Sequence, residues 1–570
     1  MTIDLRPWQA EAISKCKKWF EKETSNKFVI NAAPGSGKTY TALVIAKELL
    51  RERKIDKVVV VAPSNEVVKQ WSSDAKVILG SDMMKVSGGD KDDLLSYGTH
   101  YSTTWQSLGS LLDAFHTLCC SYKTLIICDE QHHAALDKSW GKNVIRAFED
   151  SAKYELILTG TPYRSDGKDA VWLETDEKSK TIVHPIDGTY VLTYGEAVAL
   201  GYCRAVTFHK HEGNFIFDFL DGDKVEISGK TGPKITEEQR KKIKRIPLID
   251  KAMDFYNLAT TIKHLNENPN TPDLESYMST MIKEGINELD TARFTIPDAG
   301  GLVIAPDIPT ANHMAQIIEH LTNEKPVIVH NKEKGSHNKL KAFKGNKEKW
   351  LVSVQMVSEG VDIPRLRVLV YLPTKMTELF FRQAIGRVVR NYIPNDNTRA
   401  YVIMPAFKTF ETFAERVERE MPPKFRKDTN RPKKKLCPEC HSDCNLNASE
   451  CAECGHEFPQ RSPQYKMCDH CGGMNLLNAE TCQHCGEDMT HEFGVTLDSA
   501  MRDGVYVRGM AISEDEAQEG EKMAEHLNDL VMSSGDEVLI KLMRSYPEES
   551  YARIAKYIDV AREKVRNENV

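Results

Sequence analysis

The chain has 570 residues, too many for one hydrophobic core, so three or four domains are expected. It is 41% hydrophobic and 28% charged, as in ordinary water-soluble proteins, and no apolar run approaches the roughly 18 residues of a membrane helix. The first residues lack the apolar core of a signal peptide, which predicts a cytoplasmic protein without membrane contact. The net charge of −7 does not exclude nucleic acid as a partner, because local basic patches decide such binding.

A glycine-containing loop lies between a predicted strand and a predicted helix near the N-terminus. Residues 28–39 read "FVINAAPGSGKT", and apolar residues at helical spacing follow them. Glycines at such a turn let main-chain N–H groups surround a phosphate, and the helix N-terminus adds a positive dipole. We expect Lys38 to reach the β- and γ-phosphates of ATP and Thr39 to bind Mg²⁺. The predicted ATP-binding loop consists of Pro34, Gly35, Ser36, Gly37, Lys38 and Thr39.

A second apolar strand ends in acidic residues. The sequence "TLIICDEQHH" (residues 124–133) puts Asp129 and Glu130 at the carboxyl end of a buried strand, where ligands bind in open α/β sheets. A zinc site in this run is disfavoured, because Cys128 and Asp129 would point to opposite faces and zinc sites favour spaced ligand pairs. We predict that Asp129 binds Mg²⁺ through water and that Glu130 activates the attacking water.

The ordered motifs resemble those of superfamily 2 helicases and translocases of the DExH type, over roughly residues 1–410. "LRPWQ" resembles the N-terminal motif that recognises adenine. Residues 58–71 and 103–108 resemble the two segments that contact a nucleic-acid backbone. "VSVQMVSEGVDIPRL" (352–366) and "FFRQAIGRVVR" (380–390) resemble motifs of the second motor domain. The resemblance implies an α/β fold with two tandem RecA-like domains and ATP between them.

The resemblance also implies roles for single residues. They are Arg6, Gln9, Gly360 and Asp362 for nucleotide binding, His132, Thr159 and Thr161 for coupling, and Gln383, Arg387 and Arg390 for hydrolysis. Two guanidiniums one turn apart on a helix can face a γ-phosphate held by the other domain and stabilise charge that develops during its transfer.

Three of the motifs depart from their common forms. Ala32 stands where the general phosphate-loop pattern has glycine, a variant common in helicases. Gln131 replaces the frequent alanine of the acidic motif, so coupling through His132 is expected to differ in detail. Thr159-Gly160-Thr161 replaces the frequent Ser-Ala-Thr, which leaves the unwinding strength open.

Nine of the 14 cysteines lie between residues 437 and 485. Two Cys-x-x-Cys pairs are followed by the same arrangement 31 residues later: Cys437, Cys440, Cys451 and Cys454, then Cys468, Cys471, Cys482 and Cys485. Four thiolates in two such pairs form a closed tetrahedral zinc site, which is structural rather than catalytic. The sequence therefore predicts two zinc ribbons with one Zn²⁺ each, and Cys444 is expected not to be a ligand.

The role of the ribbons has two interpretations. In the first, the ribbons form a compact spacer or a module that binds other proteins. In the second, the ribbons contact DNA together with the preceding linker. That linker, residues 422–435, carries seven Lys or Arg residues and one Asp, which suits phosphate contact. A helicase core followed by zinc ribbons resembles the bacterial RadD-type DNA repair helicases and the phage recombination helicases in domain order.

These patterns divide the chain into five parts. Residues 1–200 are predicted to form the first RecA-like domain, and 201–420 the second, with an inserted helical region near 230–295. A basic linker (421–436), tandem zinc ribbons (437–490) and a mostly helical C-terminal region (491–570) follow. The periodicity of residues 549–565 predicts an amphipathic helix.

Three functional hypotheses remain. The first is an ATP- and Mg²⁺-dependent helicase or translocase that acts on DNA forks, branches or single strands, in repair, recombination or replication. The second keeps the motor but makes RNA the track, because such motors hold the backbone and only the 2′-hydroxyl distinguishes the strands. The third is a zinc-ribbon recruitment module with an ATP-driven switch, which binds a protein partner through residues 437–570.

Overall fold

The computed structural model of the chain describes residues 5–88, 100–131, 139–160, 170–173, 182–219, 222–243, 249–330, 335–354, 363–374, 376–391, 398–426, 434–437, 439–440, 442–445, 448–458, 465–468, 470–476, 479, 481–487, 489, 491–507, 514–544, 546 and 549–568. The predicted fold class is confirmed in this part of the chain: two parallel α/β sheets, two four-cysteine groups and a helical C-terminal region. None of the helices within these ranges is long and apolar enough to cross a bilayer.

The first domain is built on seven of the described strands, all parallel, in the order β3-β4-β2-β5-β6-β1-β7. The strands are β1 Lys27–Ala32, β2 Lys57–Ala62, β3 Met83–Lys85, β4 His100–Thr104, β5 Thr124–Asp129, β6 Tyr154–Thr159 and β7 Thr189–Leu192. The helices are α1 Pro7–Glu21, α2 Lys38–Arg51, α3 Asn65–Ile78, α4 Trp105–Leu108, α5 Leu112–Ser121, α6 Ser139–Phe148 and α7 Tyr194–Ala199. Branched apolar side chains fill the central strands, as expected where helices cover both faces of a sheet.

The second domain has six of the described strands, also parallel, in the order β13-β14-β12-β15-β16-β8. These are β8 Val206–His211, β12 Gly300–Ile304, β13 Val327–His330, β14 Trp350–Val354, β15 Leu366–Tyr371 and β16 Ala400–Pro405. The helices of this part are α8 Glu237–Ile243, α9 Ile249–Ala252, α10 Phe255–Ala259, α11 Tyr277–Arg293, α12 Ile308–Thr322, α13 Ser336–Gly345, α14 Glu378–Val388, α15 Lys408–Glu420 and α16 Pro423–Arg426. One contiguous apolar core runs through both domains.

A small sheet joins distant parts of the chain and was not predicted. Strands β9 Asn214–Asp218, β10 Lys224–Ser228 and β11 Gly232–Pro233 are antiparallel, and β21 Glu492–Thr496 lies parallel to β9. The start of the C-terminal region is therefore paired with the segment that follows the first strand of the second domain.

The cysteine-rich region contains two short hairpins, β17 Lys434–Leu436 with β18 Asp443–Asn445, and β19 Tyr465–Met467 with β20 Met474–Leu476. After β21 come α17 Leu497–Ser499, a π-helical turn Ala500–Val507, and helices α18 Glu514–Ser533, α19 Glu537–Arg544 and α20 Glu549–Glu568. The amphipathic helix expected near the C-terminus corresponds to α20.

Candidate nucleotide site and metal centres

The predicted phosphate loop connects β1 to α2 and has the conformation that its glycines allow. Gly35 has φ +79° and Gly37 has φ +104°, both in the left-handed region that favours glycine. Gly37 directly precedes α2, and no side chain caps this helix end. The first main-chain N–H groups of α2 can therefore bind an anion. The Lys38 Nζ donates to the Ala32 carbonyl oxygen in β1 (2.9 Å).

The start of α1 is bound to this loop. Gln9 is buried; its Oε1 accepts from the Arg6 main-chain N–H (2.9 Å), and its Nε2 donates to the Gly37 carbonyl (3.3 Å). The Arg6 guanidinium donates to the Ser36 carbonyl (2.9 Å). The structure therefore brings Arg6 and Gln9, both expected to bind nucleotide, next to the loop expected to bind the phosphates.

Asp129 ends β5 with a buried carboxylate. Its Oδ2 accepts a hydrogen bond from Trp71 Nε1 (2.8 Å), and its main-chain carbonyl accepts one from Trp105 Nε1 (3.2 Å). Burial, and next the nearby Glu130 carboxylate, raise the pKa of Asp129 to about 6. Glu130 has φ +52°, a conformation that costs a non-glycine residue roughly 1 kcal/mol or more.

The remaining first-domain candidates are distributed around this edge. Thr159 is buried at the end of β6, where it pairs with Asn31 of β1. The next residue, Gly160, faces Lys38: a Cβ there would lie 2.9 Å from Lys38 Nζ. Gln131 is fully buried and donates from Nε2 to the Val171 carbonyl (2.7 Å), so its departure from alanine ties the acidic motif to residues 170–173.

The second domain meets the phosphate loop through the segment around α14. A Cβ on Gly386 would lie 2.7 Å from Pro34 Cβ, and a Cβ on Gly35 would lie 2.9 Å from Arg390 Cγ. The Cys203 thiol also donates to the Pro34 carbonyl (3.3 Å). The aliphatic part of Arg390 thus lies over the loop of the opposite domain.

Two further candidates, Gln383 and Arg387, lie on α14 itself, four residues apart and therefore on one face. Gly360, Asp362, His132 and Thr161 lie outside the described residues. The sequence does not predict that the indoles of Trp71 and Trp105 bond to Asp129, because their spacing carries no signal of that contact.

Each cysteine group has the dimensions of a tetrahedral zinc centre. The four Sγ atoms of each group lie within 4.8 Å of one another. In the first group, the Sγ atoms lie 3.5 Å apart for Cys437–Cys454 and 3.6 Å apart for Cys440–Cys451. In the second group the distances are 3.7 Å for Cys468–Cys485 and 3.6 Å for Cys471–Cys482. Zinc–sulfur bonds of about 2.3 Å give a tetrahedral edge of about 3.8 Å, so both groups could hold zinc.

Polar neighbours of the thiols differ between the two ribbons. In the first, the Ser442 hydroxyl lies 3.2 Å from Cys451 Sγ, and this hydrogen bond is the main reason why the pKa of Cys451 falls to about 5. In the second ribbon, Asn475 occupies the position that corresponds to Cys444 in the first. Its Nδ2 donates to Cys482 Sγ (3.3 Å). The Cys444 thiol donates to the Ser442 carbonyl (3.7 Å) and also contacts the Cys451 thiol.

The fold and site define a class of protein, and family models agree with it. Residues 2–164 match the model of the type III restriction enzyme res subunit, and residues 302–392 match the helicase conserved C-terminal domain. Together with two parallel-sheet domains that meet at a phosphate loop, these matches support a similarity to the superfamily 2 helicases of the DExH type.

Several similar proteins match about two thirds of this chain. The chain is 32% identical over 400 residues to an uncharacterised protein of Mycobacterium tuberculosis. This aligned region covers 70% of this chain and 61% of the relative. A Mycobacterium leprae protein is 31% identical over the same length, with the same coverage. The DNA 3′-5′ translocase XPB2 of Sulfurisphaera tokodaii is 24% identical over 396 residues, 68% of this chain and 79% of that protein. The chain thus spans about 61% of the length of the mycobacterial relatives.

Proposed function

We propose that the protein is a nucleic-acid-stimulated ATPase that moves along DNA. The observation that carries this proposal is the position of Arg390, whose side chain lies over Gly35 in the phosphate loop of the opposite domain. An arginine in this place senses whether the cleft between the domains holds a γ-phosphate. Closing and opening of the cleft then shifts the two domains along a strand in small steps.

The roles of the other residues follow from charge and geometry. Main-chain N–H groups of residues 35–39 and the Lys38 ammonium hold the phosphates, and Gln9 with Arg6 supports the base. Thr39 and Asp129 hold Mg²⁺, which neutralises phosphate charge when it is bound with ATP. Glu130 accepts the proton of the attacking water, Gln383 orients that water, and Arg387 and Arg390 stabilise the developing charge. Gly360 and Asp362 contact ribose and strand, and His132, Thr159 and Thr161 transmit the nucleotide state.

DNA is the favoured track. One relative is named a DNA translocase, which supports DNA over RNA. The basic linker 422–435 follows the second domain in the sequence, and its positive charge favours any phosphate backbone. A place in DNA repair or recombination is part of the proposal and rests on the domain order of a motor followed by cysteine ribbons. Each ribbon holds one Zn²⁺ in this proposal, and the ribbons or the C-terminal helices bind a protein partner.

The first experiment is a steady-state ATPase assay with single-stranded DNA, duplex DNA, forked DNA, single-stranded RNA or no nucleic acid. We expect stimulation by single-stranded or forked DNA. Lys38→Ala should reduce the rate by roughly a hundredfold or more, because it removes a charged donor to the phosphates. Lys18→Ala, on the exposed face of α1, is the matched control and should retain the wild-type rate.

Three other results would change the conclusion. Stimulation by RNA alone would transfer the proposal to an RNA motor. A rate that is indifferent to every nucleic acid would leave a recruitment module with an ATP-driven switch. A rate that survives Lys38→Ala would contradict the assignment of the phosphate loop.

A further inference from the structure

Two buried tryptophans connect the acidic motif to helices α3 and α4, which contain residues of the two segments expected to contact nucleic acid. Trp71 lies in α3 and is 1% exposed, and Trp105 begins α4 and is 0% exposed. Their indole N–H groups converge on Asp129, one on its carboxylate (2.8 Å) and the other on its main-chain carbonyl (3.2 Å). Both tryptophans come from the segments, 58–71 and 103–108, that the resemblance assigns to backbone contact.

The sheet order explains why both indoles reach the same residue. Strand β2, which leads into α3, lies between β4 and β5, and β4 leads directly into α4. The carboxyl ends of these parallel strands meet at one edge of the sheet, so the following helices flank the end of β5. A contact of 3.1 Å between the hydroxyls of Ser72 and Ser102 also joins α3 to β4.

The surface begins one residue away from each indole. Gln70 precedes Trp71 and is exposed, as is Lys69, while Gln106 follows Trp105 and is exposed. A strand held on these side chains would therefore act on α3 and α4 at the residues that adjoin the buried indoles.

We infer that Trp71 and Trp105 are positioning residues through which nucleic acid bound on α3 and α4 controls the magnesium-binding carboxylate of Asp129 and the orientation of Glu130. This inference rests on the proposed function. The Trp71 N–H fixes the rotamer of the Asp129 side chain. The Trp105 N–H fixes the peptide group between Asp129 and Glu130, and that peptide leads into the left-handed conformation of Glu130 (φ +52°). The Trp71 indole thus orients the Asp129 carboxylate, and the Trp105 indole orients the main chain that leads to Glu130.

Phenylalanine at either position keeps a buried ring and removes only the N–H donor. The matched control is Trp19→Phe. The Trp19 indole is also buried and donates to a main-chain carbonyl, that of Lys27 (2.7 Å), but Lys27 starts β1 and lies at the end of the strand away from the phosphate loop. This variant loses a comparable bond far from the site.

The test measures binding as well as turnover. Binding of a fluorescent, non-hydrolysable ATP analogue is titrated with Mg²⁺, and ATPase is measured with and without single-stranded DNA. We expect Trp71→Phe to need roughly tenfold more Mg²⁺ for half-maximal binding, because it loses a hydrogen bond to a charged group. Stimulation by single-stranded DNA should fall towards unity while DNA affinity, measured by anisotropy, stays unchanged. Trp105→Phe should lower the maximal rate without a change in the Mg²⁺ requirement, and Trp19→Phe should match wild type in every readout.

The results separate this inference from the proposed function. If the wild-type protein hydrolyses no ATP with any nucleic acid, the motor proposal fails, whatever the variants do. If wild type is stimulated but Trp71→Phe and Trp105→Phe both behave like Trp19→Phe, the positioning role is overturned. If Trp71→Phe does not unfold cooperatively, Trp105→Phe decides: a lowered maximal rate supports the inference, and a wild-type rate overturns it.

Discussion

His100 lies buried at the start of β4, and its Nδ1 accepts a hydrogen bond from the main-chain N–H of Val58 (3.2 Å). Burial, and next the positive charge of Lys57, lower the pKa of His100 from 6.5 to about 4. The folded state therefore favours the neutral ring. This contribution is fully present above pH 6.5 and is lost as the pH falls from 6.5 towards 4, by roughly 3 kcal/mol in all.

We predict that His100→Gln flattens the pH dependence of unfolding. Glutamine can accept from the same N–H but does not titrate, so the variant should lose less unfolding free energy than wild type between pH 7 and pH 5. Denaturant unfolding at several pH values measures this difference. His116→Gln, at an exposed position in α5, is the control. Equal losses in wild type and His100→Gln would contradict the role given to the buried ring.

Among single residues, the sequence predicts those whose role follows from their spacing within a short motif. The left-handed Gly35 and Gly37 follow from the motif, because a loop that wraps a phosphate needs them. Trp71 and Gln131 could not be recognised in the same way. Their bonds, to Asp129 and to the Val171 carbonyl, join segments far apart in the chain, and a tryptophan at helical spacing predicts only a core position.

Strand β21 anchors the C-terminal region to the second domain through its inward side chains. Phe493 and Val495 are buried, and the Phe493 ring lies 5.6 Å from that of Phe215 and 5.4 Å from that of Tyr277. We predict that Val495→Asp detaches β21, because an unpaired carboxylate would enter this apolar layer, at a cost of roughly 2–4 kcal/mol. Hydrogen exchange of β9 and β21 should accelerate, whereas exchange in β12 and β15 should not.

The control for this variant lies on the opposite face of the same strand. Glu492 is exposed, so Glu492→Gln should leave the exchange of β9 and β21 as in wild type. Protection that survives Val495→Asp would show that the pairing of β21 with β9 does not hold the C-terminal region in place.

Strands and helices marked by a short sequence pattern were predictable, whereas pairings between distant segments were not. Buried runs such as Val58 to Val61 indicate parallel strands, and the fold class follows from them. The alternating burial of β9 is equally regular, but its partner β21 comes after the whole cysteine-rich region. No short-range pattern indicates such a pairing, so the four-stranded sheet β11-β10-β9-β21 was missed.

In the chain, the cysteine ribbons lie between two described segments that both contact the second domain or the small sheet beside it. Before them, the Arg399 guanidinium donates to the Phe425 carbonyl in α16 (2.9 Å), and after them β21 pairs with β9. Among the described residues, the apolar clusters around the cysteines are separate from the main core, which includes the buried side chains of the small sheet. Metal, rather than packing against the motor, is therefore expected to stabilise each ribbon.

Zinc content tests this independence. Cys451→Ser and Cys482→Ser each remove one ligand of a closed four-thiolate set, so each variant should bind one Zn²⁺ per chain where wild type binds two. Basal ATPase and the thermal unfolding of the two α/β domains should be unchanged. Cys444→Ser is the matched control in the first ribbon, because Cys444 is a buried cysteine beside the group of four but is not one of its members. Metal analysis of the purified proteins decides the matter: a wild-type value below two, or zinc loss in Cys444→Ser, would contradict the ligand assignment, and a motor that unfolds with either ribbon would show that the cores are coupled.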